Sequence, residues 1–196
     1  MNRGELNNLL TRYLKRTDLT DLYDDWVQFA GNIIDQEMRL PEQEYRTVTV
    51  PTEQFISLPA DFIEMRHIEY NGVPLRFLTA SQLDGVRALN LPRMRYYTIV
   101  DSQLELCPAP NEDSTGTLEM FYYARLPTLP TSAATNKVLT AYPQLYLYRC
   151  MIEASAFRMA AGDDKSYKEL WADYSATLNN RAQAGRYSGT LRMRNA

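Results

Sequence analysis

The chain has 196 residues, 45% of them hydrophobic and 23% charged, with a formal net charge of −3. That length accommodates one sizeable core or a helical body with an inserted subdomain, and no run approaches the ~18–20 apolar residues of a membrane span. A pI near 5.3 makes the chain as a whole no counter-ion for nucleic acid, and the two cysteines, Cys107 and Cys150, lack CxxC spacing, which argues against a disulfide framework and fits synthesis in a reducing cytoplasm.

Leu6, Leu9, Leu10, Tyr13 and Leu14 form a helical stripe, so an amphipathic helix is predicted from about Arg3 to Lys15. The same N-terminus has neither the apolar core nor the cleavage site of a signal peptide. Asp18 is expected to cap a second helix, with Asp21 in the place a capping box would use. Leu22, Trp26, Phe29, Ile33 and Ile34 are its expected apolar face, and it should end before Pro41. From Glu44 the period changes to two. Tyr45 to Val50 and Phe55 to Leu58 read as short strands, each stopped by a proline. Phe62 to Tyr70 and Val73 to Leu78 flank Asn71-Gly72, a strong signal for a tight hairpin. Thr79 should cap a brief helix through Ser81, Gln82 and Leu83. Tyr96 to Val100 and Gln103 to Cys107 predict a second hairpin across Asp101-Ser102, and Gly116 opens a strand that runs to Pro127.

After the loop of Pro127 to Asn136, the stretch Leu139 to Leu178 reads as two helices broken at Gly162-Asp163-Asp164, with Gly162 as the stop and Asp163 or Asp164 as the next cap. The first is apolar on more than one side through Leu145, Leu147, Met151, Ile152, Phe157 and Met159, as expected of a helix wrapped by neighbours. Tyr167, Leu170, Trp171, Tyr174 and Leu178 stripe the second. After about Asn180 the periodicity fades into a basic tail with Arg181, Arg186, Arg192 and Arg194 and no acid. Its interleaving of Tyr187, Leu191 and Met193 with arginines is the mixture of segments that order on a partner. The expected fold class is therefore α+β: a helical bundle (1–43 and 127–184), an inserted small antiparallel β-subdomain (44–126) and an extended C-terminal arm (185–196).

Catalytic signatures are sparse. His67 is the single histidine and alternation places it on one face of a strand, without a marked partner for acid–base work. GxxxxGK[ST], GxGxxG, GxSxG and HExxH do not occur. Cys107 and Cys150 read as small buried hydrophobes, and Asp21, Asp24 and Asp25 as a solvated helix face rather than a metal site. The expectation is a non-enzyme with no cofactor, no metal site and no membrane contact. Fourteen tyrosines suit surfaces that are apolar yet hydrogen-bonding, as at protein interfaces.

The ordered run KRTDLTDLYDDWVQFAGNIIDQEMR, FISLPADFIEMRHIEYNGVPLRFLT, YYTIVDSQLELCPAP, LEMFYYARLPTL, TNKVLTAYPQLYLYRCMIEASAF and SGTLRMR resembles the head-to-tail adaptor (connector, or head-completion) proteins of tailed bacteriophages across nearly the whole chain. The resemblance implies a structural virion protein made in the host cytoplasm. It would form a ring, commonly dodecameric, below the portal at the head–tail junction, with tail nozzle or tube proteins at the opposite end. Genomic DNA would pass through the channel with weak, non-specific contact. It further implies a C-terminal arm along the portal, here Arg186, Tyr187, Leu191, Arg192, Met193 and Arg194. The apolar members would act as anchors, and Arg192 and Arg194 would pair with acidic portal groups. The competing reading is a nucleic-acid-binding accessory of DNA packaging, its arginines on phosphates and its affinity falling steeply with salt. A more remote alternative is a small hydrolase using His67.

Overall fold

The structure is a computed structural model that describes residues 1–89, 92–110, 115–157 and 163–187, with side chains of the last segment described over 165–184. The chain divides into two compact units, Met1–Gln43 with the chain from Leu126 onward, and Glu44–Arg125. The described residues form six α-helices and two small sheets, an α+β chain.

In the helical unit, α1 (Arg3–Leu14) starts on a capping box: Asn2 Oδ1 accepts from the Glu5 N–H at 2.9 Å, and the Asn2 N–H donates to Glu5 Oε2 at 2.9 Å. Lys15, at φ 52°, ends it in the left-handed region. Arg3, Leu6, Leu10 and Leu14 are its buried stripe. The expected cap at Asp18 does not form. A 3₁₀ turn at Thr20–Leu22 leads directly into α2 (Tyr23–Glu37), and Asp18 instead binds Arg16, whose Nε donates to Asp18 Oδ1 at 2.8 Å. That guanidinium holds the Asp18 carboxyl below its usual range. The buried face of α2 also differs from expectation: Tyr23, Trp26, Val27, Ala30 and Ile34 are buried, while Phe29 is half exposed. Two apolar stripes overlap on this helix, Leu22–Trp26–Phe29–Ile33 and Tyr23–Val27–Ala30–Ile34. The core takes the stripe with the small Ala30 together with Trp26 of the other, and Phe29 is turned outward.

Residues 137–157 make two helices rather than one. Asn136 caps α4 (Lys137–Ala141), its Oδ1 accepting from the Leu139 N–H at 2.7 Å. Tyr142, at φ −134° and ψ 64°, breaks it because Pro143 excludes the α region at the preceding residue. Pro143 then opens α5 (Pro143–Phe157), where its missing N–H is tolerated. Eight side chains of α5 are buried, on more than one side, so this helix is the hub of the core. The final helix, α6 (Asp163–Tyr187), packs along α5 with Tyr148 edge-on to Tyr174 at 6.2 Å. It buries Trp171, Leu178 and Ala182 but leaves Leu170 45% exposed. The expected stop at Gly162 lies outside the described residues. The helix continues past Asn180 to Tyr187, because Arg, Ala and Gln are strong helix formers even without an apolar stripe.

In the β unit, β1 (Glu44–Thr49), β8 (Leu118–Ala124), β3 (Phe62–Tyr70) and β4 (Val73–Pro74) form one antiparallel sheet in that order. The second is mixed: β2 (Phe55–Ser57), β7 (Gln103–Cys107), β6 (Tyr96–Val100) and β5 (Arg76–Phe77), with β5 parallel to β6. The segment 73–78 is thus two short strands in different sheets, and not one hairpin arm. Pro74 cannot donate to a ladder, and the chain turns inward at buried Leu75 before pairing anew. Ile68, Leu118 and Met120 from one sheet share a core with Tyr97, Leu104 and Leu106 from the other. Both predicted hairpin turns form, with positive φ at Asn71, Gly72, Asp101 and Ser102. Between the sheets' strands, α3 (Ala80–Arg87) begins on a Thr79–Gln82 capping box.

Two tests follow locally. Gly72 has φ +74° with open space around its Cα, so Gly72→Ala should cost about 1 kcal/mol through backbone strain alone, read as a lower urea midpoint at unchanged m-value. Buried Tyr122 donates to Asp61 Oδ1 at 3.2 Å, and burial first, then that carboxylate, pushes its hydroxyl up to about 12. An unfolded tyrosine ionises near pH ~10. The unfolded chain therefore loses this proton first, and stability present below about pH 10 declines as pH rises toward about 12. Tyr122→Phe should flatten that part of the alkaline unfolding curve; an unchanged slope would contradict the assignment.

Candidate functional site

The residues singled out at the C-terminus fall at the end of the description. Arg186 and Tyr187 are in the last turn of α6; Leu191, Arg192, Met193 and Arg194 lie outside the described residues. Among the described side chains of α6 the last one buried against the core is Ala182, and Gln183 and Ala184 are exposed.

The candidate chemical groups are placed as follows. His67 is exposed on β3, its Nε2 3.4 Å from Glu69 Oε2 and its ring 5.9 Å from that of Phe121. A register irregularity between Met65 and His67 puts both Arg66 and His67 on the exposed side, which simple alternation does not anticipate. Cys107 and Cys150 are free and buried, and burial pushes both thiols up, away from the thiolate a nucleophile needs. Asp24 pairs with Arg3, and Asp25 is exposed on α2. Among the described residues no group of three His, Cys, Asp or Glu side chains is arranged to hold a metal ion. No described helix is long and apolar enough to cross a membrane.

A cleft of about 320 Å³ opens in the helical unit between α2 and the returning segment 126–130. Its polar groups are mostly committed to holding the chain. The Arg3 guanidinium is buried, donates to the Leu129 carbonyl at 2.6 Å and pairs with Asp24. Asp35 accepts from the Leu126 N–H at 3.1 Å and from Gln43 Nε2 at 3.0 Å. One carboxylate therefore ties residue 43, where the chain leaves this unit, to residue 126, where it returns. Behind the cleft, buried Tyr146 accepts from Asn136 Nδ2 at 2.8 Å; burial raises its hydroxyl despite that bond. Tyr142 donates to Glu42 at 2.9 Å, and burial and that carboxylate raise it too. This arrangement is a clamp rather than an acid–base pair: Arg3, Asp35, Tyr142 and Tyr146 each bond to backbone or to a neighbouring side chain, although Arg3 Nε and Glu42 Oε2 are buried without a partner among the described residues. Arg3 was not part of the expected stripe, in which Leu9 and Tyr13 stood; positions 3, 6, 10 and 14 share the face that is buried instead. Asp35 was not legible either, because its partners are distant in sequence.

The surface is more suggestive than the cleft. Tyr13, Phe29, Phe157 and Leu170 are 52%, 50%, 58% and 45% exposed on the helical unit, and the β unit exposes Val48, Phe55, Val73 and Phe77. Large apolar side chains left in water on several helices are the raw material of protein–protein contact.

Comparison with known proteins is consistent with such contacts. A family model described as SU10 adaptor protein matches residues 1–194. No curated protein matches the chain.

Proposed function

The chain belongs to the SU10 adaptor protein family, and on that premise we propose that it is a structural component of a phage virion that forms a ring below the portal, joins capsid to tail and lines the DNA exit channel. The observation that carries this reading is the family match over residues 1–194. The helices form the bundle of the ring wall, and residues 44–126 form the subdomain inserted into it. The C-terminal arm from Gly185 binds portal. Tyr187, Leu191 and Met193 are its apolar anchors, and Arg192 and Arg194 pair with acidic portal groups. Docking of the arm on portal ties assembly to the presence of portal. The ring is a homo-oligomer, a dodecamer in this reading, with tail proteins at its far end and DNA passing through.

The net charge of −3 suits a channel that DNA must traverse without being held. The arginine-rich tail favours one second reading, a DNA-binding accessory of packaging. The two are separated by mass photometry of the chain with portal and by a DNA-binding titration at two salt concentrations. The adaptor reading predicts a discrete mass increase on portal and little DNA binding. Tight DNA binding that collapses between 50 and 200 mM salt, roughly the window in which phosphate contacts are lost, would favour the alternative.

A further inference from the structure

The first two helices carry two exposed faces that match one another. On α1, Tyr13 is 52% exposed, with half-buried Leu9 one turn before it, exposed Arg12 preceding it on the solvent side and exposed Lys15 at the helix end. On α2, Phe29 is 50% exposed, with exposed Asp25 one turn before it, half-buried Ile33 one turn after and exposed Glu37 closing the helix. Among the described residues Arg12, Lys15, Asp25 and Glu37 enter no ion pair, whereas nearby Arg16 is held by Asp18 and Asp24 by Arg3. Each face is an aromatic centre beside an aliphatic side chain, rimmed by charge, which is the composition of an interface. Their signs are opposite.

We infer that the α1 face of one copy (Leu9, Arg12, Tyr13, Lys15) docks on the α2 face of a second copy (Asp25, Phe29, Ile33, Glu37). The inference rests on the ring reading above and names the contact that builds the ring. A second copy is the occupant because both complementary halves lie on the same chain. Two-fold pairing of either face with itself would set like charges together, while α1 against α2 sets opposite charges together. Such a contact is heterologous: each copy keeps one face of each kind free after binding, so association propagates and closes where the rotation permits. Four side chains a face are few against the roughly 20–30 residues per side of a standard interface, so the free chain associates weakly and in proportion to concentration.

Two charge-reversed proteins test this by sedimentation over a concentration series: Arg12→Glu with Lys15→Glu, and Asp25→Lys with Glu37→Lys. Wild type should gain mass with concentration. Each reversed protein alone should associate about tenfold more weakly or worse, as expected for two exposed ion pairs turned repulsive. An equimolar mixture should regain association, because the acidic α1 of one then meets the basic α2 of the other. Circular dichroism checks the fold; should a reversal unfold the protein, Tyr13→Ser and Phe29→Ser must each weaken association instead. Wild type that stays monomeric throughout, reversed proteins that associate like wild type, or a mixture that fails to recover would each overturn the inference. Portal capture separates the two claims: a monomeric wild type that still binds portal removes this contact and leaves the adaptor reading, and association without portal binding does the reverse.

Discussion

Removing residues 185–196 is expected to abolish binding to portal, by at least about 100-fold, while leaving cooperative unfolding in place. The fold should survive because, among the described side chains of α6, the last one buried is Ala182, and Gln183 and Ala184 already face solvent. The binding loss should be large because the segment holds three arginines and the apolar side chains Tyr187, Leu191 and Met193. Aromatic and arginine anchors at an interface cost about 2 kcal/mol or more each when removed, and two such losses exceed 100-fold. Surface plasmon resonance on immobilised portal reads the affinity, and a urea titration reads the fold. A truncated protein that binds portal like the full chain would end the arm hypothesis. Replacing Arg192 and Arg194 by lysine should recover only part of the affinity, since lysine keeps the charge but loses the planar two-donor fork.

The largest stability effect is expected at Tyr146. Its side chain is 1% exposed, lies in the main core and accepts from Asn136 Nδ2. Tyr146→Ala removes a buried aromatic ring and should cost about 3–5 kcal/mol, enough to unfold a marginally stable domain at 37 °C. It also strips an acceptor from Asn136, the residue that caps α4 through the Leu139 N–H. Tyr146→Phe separates these contributions. It keeps the ring and should cost only about 1 kcal/mol for the lost hydrogen bond. Urea unfolding of the two proteins gives the comparison. Equal losses would mean that the hydroxyl and not the packing dominates, contrary to the burial seen here.

How much of this was legible beforehand depended on the range of the interaction. The Asn71-Gly72 turn and the Thr79–Gln82 box are set within four residues, and they form where the sequence marks them. α5 showed its central position through apolar residues on more than one side. The misreadings share a cause: a local signal with two solutions, decided by distant packing. On α2 either of two overlapping stripes could have centred the buried face, and the one with Ala30 did, joined by Trp26, which left Phe29 in water. Asp18 suited a cap or an arginine partner, and Arg16 took it. Pro74 and Pro143 were visible, but their consequences, a strand split between sheets and a helix divided at Tyr142, were not drawn from them. In the site, Arg3 joined the buried face of α1, where Leu9 and Tyr13 had been expected. The Asp35 clamp joins residues 35 and 126 and has no local signature. The arm residues Leu191 to Arg194 owe their assignment to composition and family alone.

The most direct measurement is electron microscopy of the chain mixed with its portal, beside the chain alone. A ring of adaptor density stacked on the portal is expected, with the C-terminal segment running along portal subunits. Rings in both samples would keep the adaptor role and remove the dependence of assembly on portal. Portal particles without added density, at concentrations well above those of the binding assays, would contradict the account at its centre.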